Sequence, residues 1–470
     1  MSIKIYNYLT KTKEEFKPLN SPLVKMYVCG PTVYDHSHVG HARTYIAFDV
    51  IRRYLEYRGY RVKYVMNITD IDDKIIKKAN ALNVSYAEVS TKYLLSFFED
   101  LHSLNIKPAD VHPLATAHIP DMIELIERLI KKGLAYVANG DVYYDVRKFK
   151  EYGKLSKQSI EDMKAGARIE PTEKKRFPLD FALWKAAKPG EPFWPSPWGY
   201  GRPGWHIECS AMVMRHLGEQ IDIHGGGLDL IFPHHENEIA QSEGATGKQF
   251  AKYWMYTGLL TIRGDKMSKS LGNIITIKEA LKKWDPGALR LFVLTTHYRS
   301  PIDFSEESLE SATASLKRLY IVRQNLRIAI EEADERKELN DAEKKFMEII
   351  RKSKDEFIKH MDDDFNTPQA LATLFTFVRL LNLYLDKLKA RSVIEKADSF
   401  LEEVIDVFGI PKEEEGISVD FKKLLELIIN VRSELRRNKM YELSDLIREK
   451  LRELGIELQD TKKGTRYYIL

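Results

Sequence analysis

The residues best suited to chemistry fall into three groups. Cys29, Cys209, His234 and Glu238 offer two thiols, an imidazole and a carboxylate, donor types that together suit Zn2+. They are scattered rather than paired as Cys-x-x-Cys, so burial or helix capping accounts for each one singly just as well. His234 and Glu238 stand four apart and share one helix face; His235, three from Glu238, serves as a ligand equally well by geometry. The second group is His38-Val39-Gly40-His41. Two imidazoles at the start of a helix sit where a phosphate would lie, because free backbone amides and the helix dipole converge there. The third is Arg263-Gly264-Asp265-Lys266-Met267-Ser268-Lys269-Ser270-Leu271-Gly272-Asn273. Two lysines and two serines in one glycine-flanked loop can bind a polyphosphate that gains charge as pyrophosphate leaves.

Each group needs an element to hold it. Residues 25–28 read as a buried strand that breaks at Gly30-Pro31, and residues 42–54 as a helix, with Ile46, Val50, Ile51 and Tyr54 near helical spacing. A second strand over 62–68 puts Thr69 and Asp70 at the carboxyl end of a parallel strand, where open α/β sheets bind ligands. Asp72 and Asp73 also suit the cap of a helix beginning at Lys74. Helices follow over 86–104 and 120–132. After Gly133 come short strands, 136–137 and 142–146, and a charged loop through Arg176, as expected of an insertion between two halves of a nucleotide-binding fold. Its basic and aromatic residues suit RNA or plain solvent. The second half resumes over 181–184 and passes Gly204-Trp205-His206-Ile207-Glu208-Cys209. A strand over 220–224 is followed by Gly225-Gly226-Gly227, a run that admits a ligand against the backbone or simply turns, with Asp229 placed for ribose hydroxyls. Pro233-His234-His235 opens another helix. Helical spacing over 308–333, 341–361, 367–389 and 392–408 predicts a bundle; 421–454 predicts further helices, and 456–460 with 465–470 a hairpin around Lys462-Lys463-Gly464.

Bulk properties bound the rest. A chain of 470 residues exceeds one core, so three or more domains are expected. Lys+Arg 73 against Asp+Glu 69 leaves +4, so any basic surface for nucleic acid must be local. Apolar runs fall short of bilayer length, and Met1-Ser2-Ile3-Lys4 leads into no signal-like core, which predicts a cytoplasmic protein with no membrane attachment. Two cysteines rule out a disulfide framework.

The His-Val-Gly-His segment and the lysine-serine loop together resemble the signature pair of class I aminoacyl-tRNA synthetases, and within that class the chain is similar to the cysteinyl family. The likeness runs nearly the full length, through Cys29-Gly30-Pro31-Thr32-Val33-Tyr34-Asp35, Asn67-Ile68-Thr69-Asp70-Ile71-Asp72-Asp73-Lys74, Gly204 to Ser210, His224 to Ser242 and the loop. It implies an α/β fold: a Rossmann-like parallel-sheet catalytic domain with an inserted connective domain, followed by a helical bundle and a small α+β C-terminal anticodon-binding domain. The expected boundaries are 1–115 and 201–260 for the catalytic halves, 116–200 for the insertion, 261–308 for the loop and stem-contact region, 309–410 for the tRNA-binding bundle and 411–470 for the last domain.

The resemblance further implies L-cysteine, ATP with Mg2+ and tRNA(Cys) as ligands of a monomer. It implies one catalytic Zn2+ on Cys29, Cys209, His234 and Glu238, choosing His234 over His235, with the substrate thiolate bound directly to the metal. His38, His41, Lys266 and Lys269 become the catalytic residues. Thr32, Gly40, Gly227, Asp229 and Ser268 join them around ATP, and Gly30, Thr69, Trp205 and His224 form the amino-acid pocket. Arg432, Arg436, Arg437 and the aromatic-basic tail are placed to stack on anticodon bases. Serine differs from cysteine by one atom, worth only about 1–3 kcal/mol to a pocket that judges size, whereas a soft metal reads the thiolate itself; no editing domain is expected. Catalytic zinc commonly has three protein ligands and an open position, so four imply either five-coordination or release of Glu238. Two competing readings are a ligase joining cysteine to an amino sugar, which needs no anticodon-type region, and a non-catalytic tRNA-binding relative, which should lack a motif residue.

Overall fold

The computed structural model describes residues 2–166, 174–267, 272–336, 338–412, 421–461 and 464–469. A hairpin of β1 (Lys4–Asn7) and β2 (Thr12–Glu15) leads into β3 (Leu23–Val28) and β4 (Arg61–Met66). An insertion then builds its own antiparallel sheet from β5 (Ala135–Ala138), β6 (Asp141–Tyr144), β7 (Phe181–Ala186) and β8 (Gly201–Pro203). The chain returns with β9 (Ile221–Gly227) and β10 (Ala251–Thr257), giving a parallel sheet in the order β10-β9-β3-β4. The two halves meet where β3 pairs with β9, and the strand order reverses there. Such a switch point opens a crevice at the carboxyl edge of the sheet, and Cys29 is the first residue beyond β3.

Both sheet faces are covered, so the carboxyl halves of β3 and β4, Met26-Tyr27-Val28 and Tyr64-Val65-Met66, are apolar and buried on both sides. α1 (Val39–Tyr57) lies on one face, where a core runs from Ile3 to Ile410. On the other, α6 (Trp205–Leu217) and α7 (Glu236–Thr246) enclose a smaller cluster with Tyr27, Cys29, Cys209 and Trp254. α2 (Asp73–Leu82), α3 (Tyr86–Ser103), α4 (Ile119–Lys131) and α5 (Ile160–Gly166) fill the first connections and the insertion. Beyond β10 a small sheet of β11 (Leu260–Ile262), β12 (Asp265–Lys266) and β13 (Ile302–Phe304) brackets α8 (Ile277–Leu281) and α9 (Pro286–Leu294). α10 (Glu306–Glu331), α11 (Asp341–Asp362), α12 (Thr367–Tyr384) and α13 (Arg391–Phe408) form the bundle, which shares the α1 core.

The chain divides into two compact units, Met1–Pro411 and Lys412–Leu470. The second holds α14 (Phe421–Arg437), α15 (Tyr441–Glu453) and the hairpin β14 (Ile456–Thr461) with β15 (Gly464–Ile469). The turn residues Lys462 and Lys463 lie outside the described residues.

Several expectations need correction. The glycine run does not follow a strand; it is the end of β9. A Cβ on Gly225 would stand 2.3 Å from Phe48 Cζ, and one on Gly226 would stand 3.2 Å from His235 Cε1, so these glycines admit α1 and an imidazole, not a turn. His234 and His235 do not open a helix: they end a wide turn, Ile231–His235, in which Phe232 is extended (φ −136°, ψ 132°), and α7 starts at Glu236. The charged loop before Arg176 contains α5. β6 ends at Tyr144, where Asp145 caps a 3-10 turn by accepting from Arg147 N–H at 3.2 Å. α12 stops at Tyr384, before a separate 3-10 turn, Leu385–Lys387. Arg432 is buried in the second unit and so is not open to a base, whereas Arg436 and Arg437 are exposed.

Candidate active site

Four elements deliver the metal-type donors. Cys29 follows β3, Cys209 sits in α6, His234 in the turn before α7 and Glu238 in its first turn. Cys29 Sγ lies 3.9 Å from Cys209 Sγ and 3.7 Å from Glu238 Oε1. His234 Nε2 lies 3.4 Å from Cys209 Sγ and 3.0 Å from Glu238 Oε1. All four are buried, and one donor atom from each falls within 4.8 Å of all the others. Cys29 and Glu238 belong to a second such group with His224 and His235. His235 Nε2 is 3.1 Å from Cys29 Sγ, and its Nδ1 is 2.8 Å from the Tyr256 hydroxyl. His224 Nε2 is 2.8 Å from Glu238 Oε2, while its buried Nδ1 has no hydrogen-bond partner. The packing therefore brings both histidines of the pair to the cluster.

The charge state of this pocket calls for a cation. Burial alone would push the Cys209 thiol up, but the hydrogen bond from Cys29 and the nearby His234 outweigh it and bring it to about 6. Cys29 moves the other way, raised by burial and then by Cys209. Burial opposes ionisation of Glu238, yet His224 and His234 hold its carboxyl well below the ordinary range. His234 is raised to about 10: burial works against its proton, and Cys209 and Glu238 retain it. A buried thiolate and carboxylate against a single protonated imidazole leave a net negative donor set, which fits Zn2+.

His38 and His41 begin α1 as a reciprocal capping box. His41 N–H donates to His38 Nδ1 at 3.3 Å, and His38 N–H donates to His41 Nδ1 at 3.2 Å. The rings stack at 3.7 Å. Burial, then His38, lowers His41 to about 3, so its imidazole is neutral at ordinary pH. With Nδ1 accepting, the single proton of a neutral His41 belongs on Nε2. Capping and ligand binding are thus compatible: the cap fixes the tautomer. Gly40 between them is needed because a Cβ there would meet Met267 Cε at 2.8 Å and the His38 ring at 3.0 Å. Met267 brings the edge of the lysine-serine loop onto the start of α1. Two backbone hydrogen bonds hold the far side of that loop, from Val39 N–H to Ile275 O at 3.0 Å and from Ile277 N–H to Ser37 O at 2.9 Å. The backbone of Lys266 ends β12; Ser268 and Lys269 lie outside the described residues.

Residues 15–314 match the family model for the class I (C) tRNA synthetase catalytic domain, and residues 356–412 match the DALR domain. Curated relatives called cysteine–tRNA ligase come from Thermococcus kodakarensis, 56% identical over 99% of this chain and 98% of the relative, and Thermococcus gammatolerans, 54% identical over the same shares. Another, from Persephonella marina, is 51% identical over 99% of both chains. The chain belongs to the cysteine–tRNA ligase family. Among solved structures, methionyl-tRNA synthetase of Mycobacterium tuberculosis with methionyl-adenylate superposes with a TM-score of 0.61 at 17% identity, covering 82% of this chain and 89% of that one. A leucyl-tRNA synthetase of Agrobacterium radiobacter gives 0.63 at 11% identity, over 82% and 84%. These share the class I fold.

The other residues expected at the site lie beyond β3 and β4, in β9 and the turn after it, and at the start of α6. Gly30 N–H donates to Asn67 Oδ1 at 2.8 Å, and a Cβ on Gly30 would fall 1.7 Å from Asn67 O. Glycine there lets the segments beyond β3 and β4 approach closely, and they stay paired in parallel through Val33 N–H to Thr69 O and Thr69 N–H to Pro31 O, both 3.1 Å. Thr32 is the bridge partner of Thr69. Thr69 Oγ1 donates to Glu208 Oε2 at 2.7 Å. Trp205, 38% exposed, covers His234 with ring centres 4.2 Å apart, and His224 stacks on Trp254 at 4.5 Å. Gly227 ends β9 beside the exposed Asp229, whose Oδ1 a Gly227 Cβ would meet at 2.5 Å. Sequence reasoning assigned no role to His206, Glu208, Gln241 or Tyr256. His206 Nδ1 lies 2.9 Å from His234 Nδ1, and Gln241 Nε2 donates to His206 O at 2.7 Å. His206 and Glu208 stand one to three residues before Cys209 in the first turn of α6, a signal that could have found them; Tyr256 carries none.

Membrane-spanning candidates are absent: among the described residues no helix is long and apolar enough to cross a bilayer.

Proposed function

We propose that the protein charges tRNA(Cys) with L-cysteine, first activating the amino acid with ATP to cysteinyl-adenylate and pyrophosphate, then passing the acyl group to the tRNA 3′ end. The observation that carries this reading is the convergence of Cys29, Cys209, His234 and Glu238 at the end of β3, from which the chain runs on to His38 and His41 at the start of α1. The four would hold Zn2+, which when bound favours a thiolate over the neutral hydroxyl of serine and so supplies the selectivity. His224 and His235 orient Glu238 and Cys29 from behind. Gly30, Thr69, Trp205 and His224 shape the amino-acid pocket, and Trp205 shields its mouth.

The cysteine carboxylate attacks the α-phosphorus of ATP in line, and the bond to the bridging oxygen breaks as pyrophosphate leaves. Neutral His41 turns its Nε2–H to the phosphate, with His38 beside it. Thr32 and Gly40 flank that phosphate, while Gly227 and Asp229 hold adenosine. Lys266, Ser268 and Lys269 neutralise the leaving pyrophosphate together with Mg2+. The bundle and C-terminal unit hold the tRNA, and the protein works as a cytoplasmic monomer. The match to a DALR domain favours this over an amino-sugar ligase, which needs no such region.

The test is charging of total tRNA by purified protein with ATP, Mg2+ and labelled cysteine, with labelled serine as control. Cysteine-specific acid-precipitable label is expected; folded protein that charges nothing overturns the proposal. For the metal, Glu238→Gln should lower zinc content and cysteine-over-serine preference together. Full retention of both would remove Glu238 from the ligand set.

A further inference from the structure

Glu208 is a buried carboxyl to which the charging reaction above gives no task. It is 1% exposed in the first turn of α6, and its Oε2 accepts from Thr69 Oγ1 at 2.7 Å. Among the described residues no cationic side chain pairs with it, and the titratable groups that act on it, Cys209, Asp72 and Asp70, are all acids. The neighbouring carboxylates have partners of their own. Asp70 accepts from Thr116 N–H at 2.9 Å, and Asp72 caps α2 by accepting from Lys74 N–H at 2.9 Å. Asp73 pairs with Lys185 and Arg202. A carboxyl buried without a cation is costly to ionise, so it gains most from a ligand that brings one.

The surroundings of Glu208 identify that ligand. The Thr69 hydroxyl belongs to a line of hydrogen bonds that starts one residue after Cys29 and ends one residue before Cys209. Gly30 N–H donates to Asn67 Oδ1 at 2.8 Å, Asn67 Nδ2 to Thr69 Oγ1 at 3.4 Å, and Thr69 Oγ1 to Glu208. A hydroxyl has one proton and two lone pairs. Glu208 takes the proton and Asn67 one lone pair, which leaves one lone pair to accept. A cysteine whose sulfur is held between Cys29 and Cys209 carries its α-ammonium three bonds from that sulfur, and the line joins the neighbours of those same two residues. Selection needs such a group as well. A soft metal distinguishes a thiolate from a hydroxyl, but it reads nothing else of the molecule, so on its own it admits small thiol acids that lack an amino group.

We propose that Glu208 is a positioning residue for the α-ammonium of cysteine: by holding the Thr69 proton it turns a lone pair of that hydroxyl to the ammonium and sets a negative charge behind it, so the site prefers an amino thiol to a deamino thiol acid. This rests on the charging reading above and adds the group that recognises the amino end of the substrate.

Glu208→Gln, Thr69→Val and Thr69→Ser are compared with wild type in the full, zinc-loaded chain. Cysteine is the substrate of ATP–pyrophosphate exchange, and 3-mercaptopropionate, which has the thiol and the carboxyl but no amino group, is the inhibitor. KM for cysteine should rise roughly ten- to a hundredfold in Glu208→Gln and Thr69→Val, whereas the inhibition constant of 3-mercaptopropionate should stay within about twofold. Thr69→Ser, which keeps the hydroxyl, should lose far less than Thr69→Val. The double variant Glu208→Gln/Thr69→Val should be little weaker than either single one, because the two side chains act as a unit. A merely structural Glu208 would move both ligands together. Equal losses for cysteine and 3-mercaptopropionate, or an unchanged KM for cysteine, therefore overturn the proposal. If Glu208→Gln does not fold, Thr69→Val makes the same comparison. A wild type without cysteine-dependent exchange refutes the charging reading instead; binding of cysteine and of 3-mercaptopropionate to the same proteins, followed by tryptophan fluorescence, still decides whether Glu208 selects the ammonium.

Discussion

Helix α1 carries His38 and His41 at its start and is locked along its length by a buried ion pair. Asp49 Oδ2 accepts from Arg290 Nη2 at 2.6 Å, and the two side chains are 1% and 0% exposed. Arg290 spends every N–H: Nε and Nη2 on Phe408 O at 3.0 and 2.8 Å, and Nη1 on Leu104 O at 2.9 Å and Asn105 O at 3.4 Å. Asp49 also accepts from Arg53 Nε at 2.8 Å and, on its other oxygen, from Lys107 N–H at 3.0 Å. In Asp49→Asn the guanidinium stays buried with carbonyl partners and no charge to balance it, which should cost about 3–5 kcal/mol. Against a typical total of about 5–15 kcal/mol that is severe. Arg290→Met should cost a similar amount, because it strips Phe408 O and Leu104 O of their side-chain donor, while Asn105 O and Asp49 keep Arg53. The double variant removes both charges and should recover about 2 kcal/mol of the sum. The assay is guanidinium unfolding of the four proteins, followed by tryptophan fluorescence and compared at a common denaturant concentration. Losses that add within about 0.5 kcal/mol would refute the reasoning, since independent sites add and a shared buried pair does not.

Gly225→Ala should destabilise the protein by about 1–3 kcal/mol through overpacking, because the new methyl falls 2.3 Å from Phe48 Cζ; thermal melts should show Phe48→Leu restoring much of the loss, and an unchanged melting temperature would disprove the contact. Asp100 is raised to about 6 by burial, with Lys278 opposing and Glu99 adding to it, and its Oδ2 has no hydrogen-bond partner. A folded-state value above the unfolded one means stability is full below about pH 4 and is lost as pH rises through 6, so Asp100→Asn should gain about 2–3 kcal/mol at pH 7.5 and almost nothing at pH 4. A gain independent of pH, measured by denaturant unfolding, would exclude the carboxylate as its cause. His234→Asn should abolish stoichiometric zinc, whereas His235→Asn, removing a group behind Cys29, should weaken metal affinity only about 10–100-fold; elemental analysis and competition with a chelator would show the reverse order if His235 is the ligand.

Residue types and periodicity carried much of the site. Strand, turn and helix around Cys29 and His41 were legible because residues 25–28 end in a β-branched valine, as a buried strand does before a turn, and because glycine, proline and histidine then interrupt it. The choice between His234 and His235 was not legible. Both precede α7 in a turn in which Phe232 is extended, and no periodicity encodes that departure from the helix, so both imidazoles arrive at Cys29 and Glu238 from adjacent positions. The glycine run misled for a related reason. Gly225 and Gly226 answer to Phe48 and His235, partners distant in the chain, whereas reading three adjacent glycines as a turn uses only local preference. Buried charge was the least visible of all. Asp49 and Arg290 look like any surface residues in their helices; only the fold places them where the loop after α13 ends against α1. The same physics links these cases. A polar or missing side chain in a core is explained by what packs against it from far along the chain, so the donor types were readable from the sequence, while which of them share one pocket required the packing.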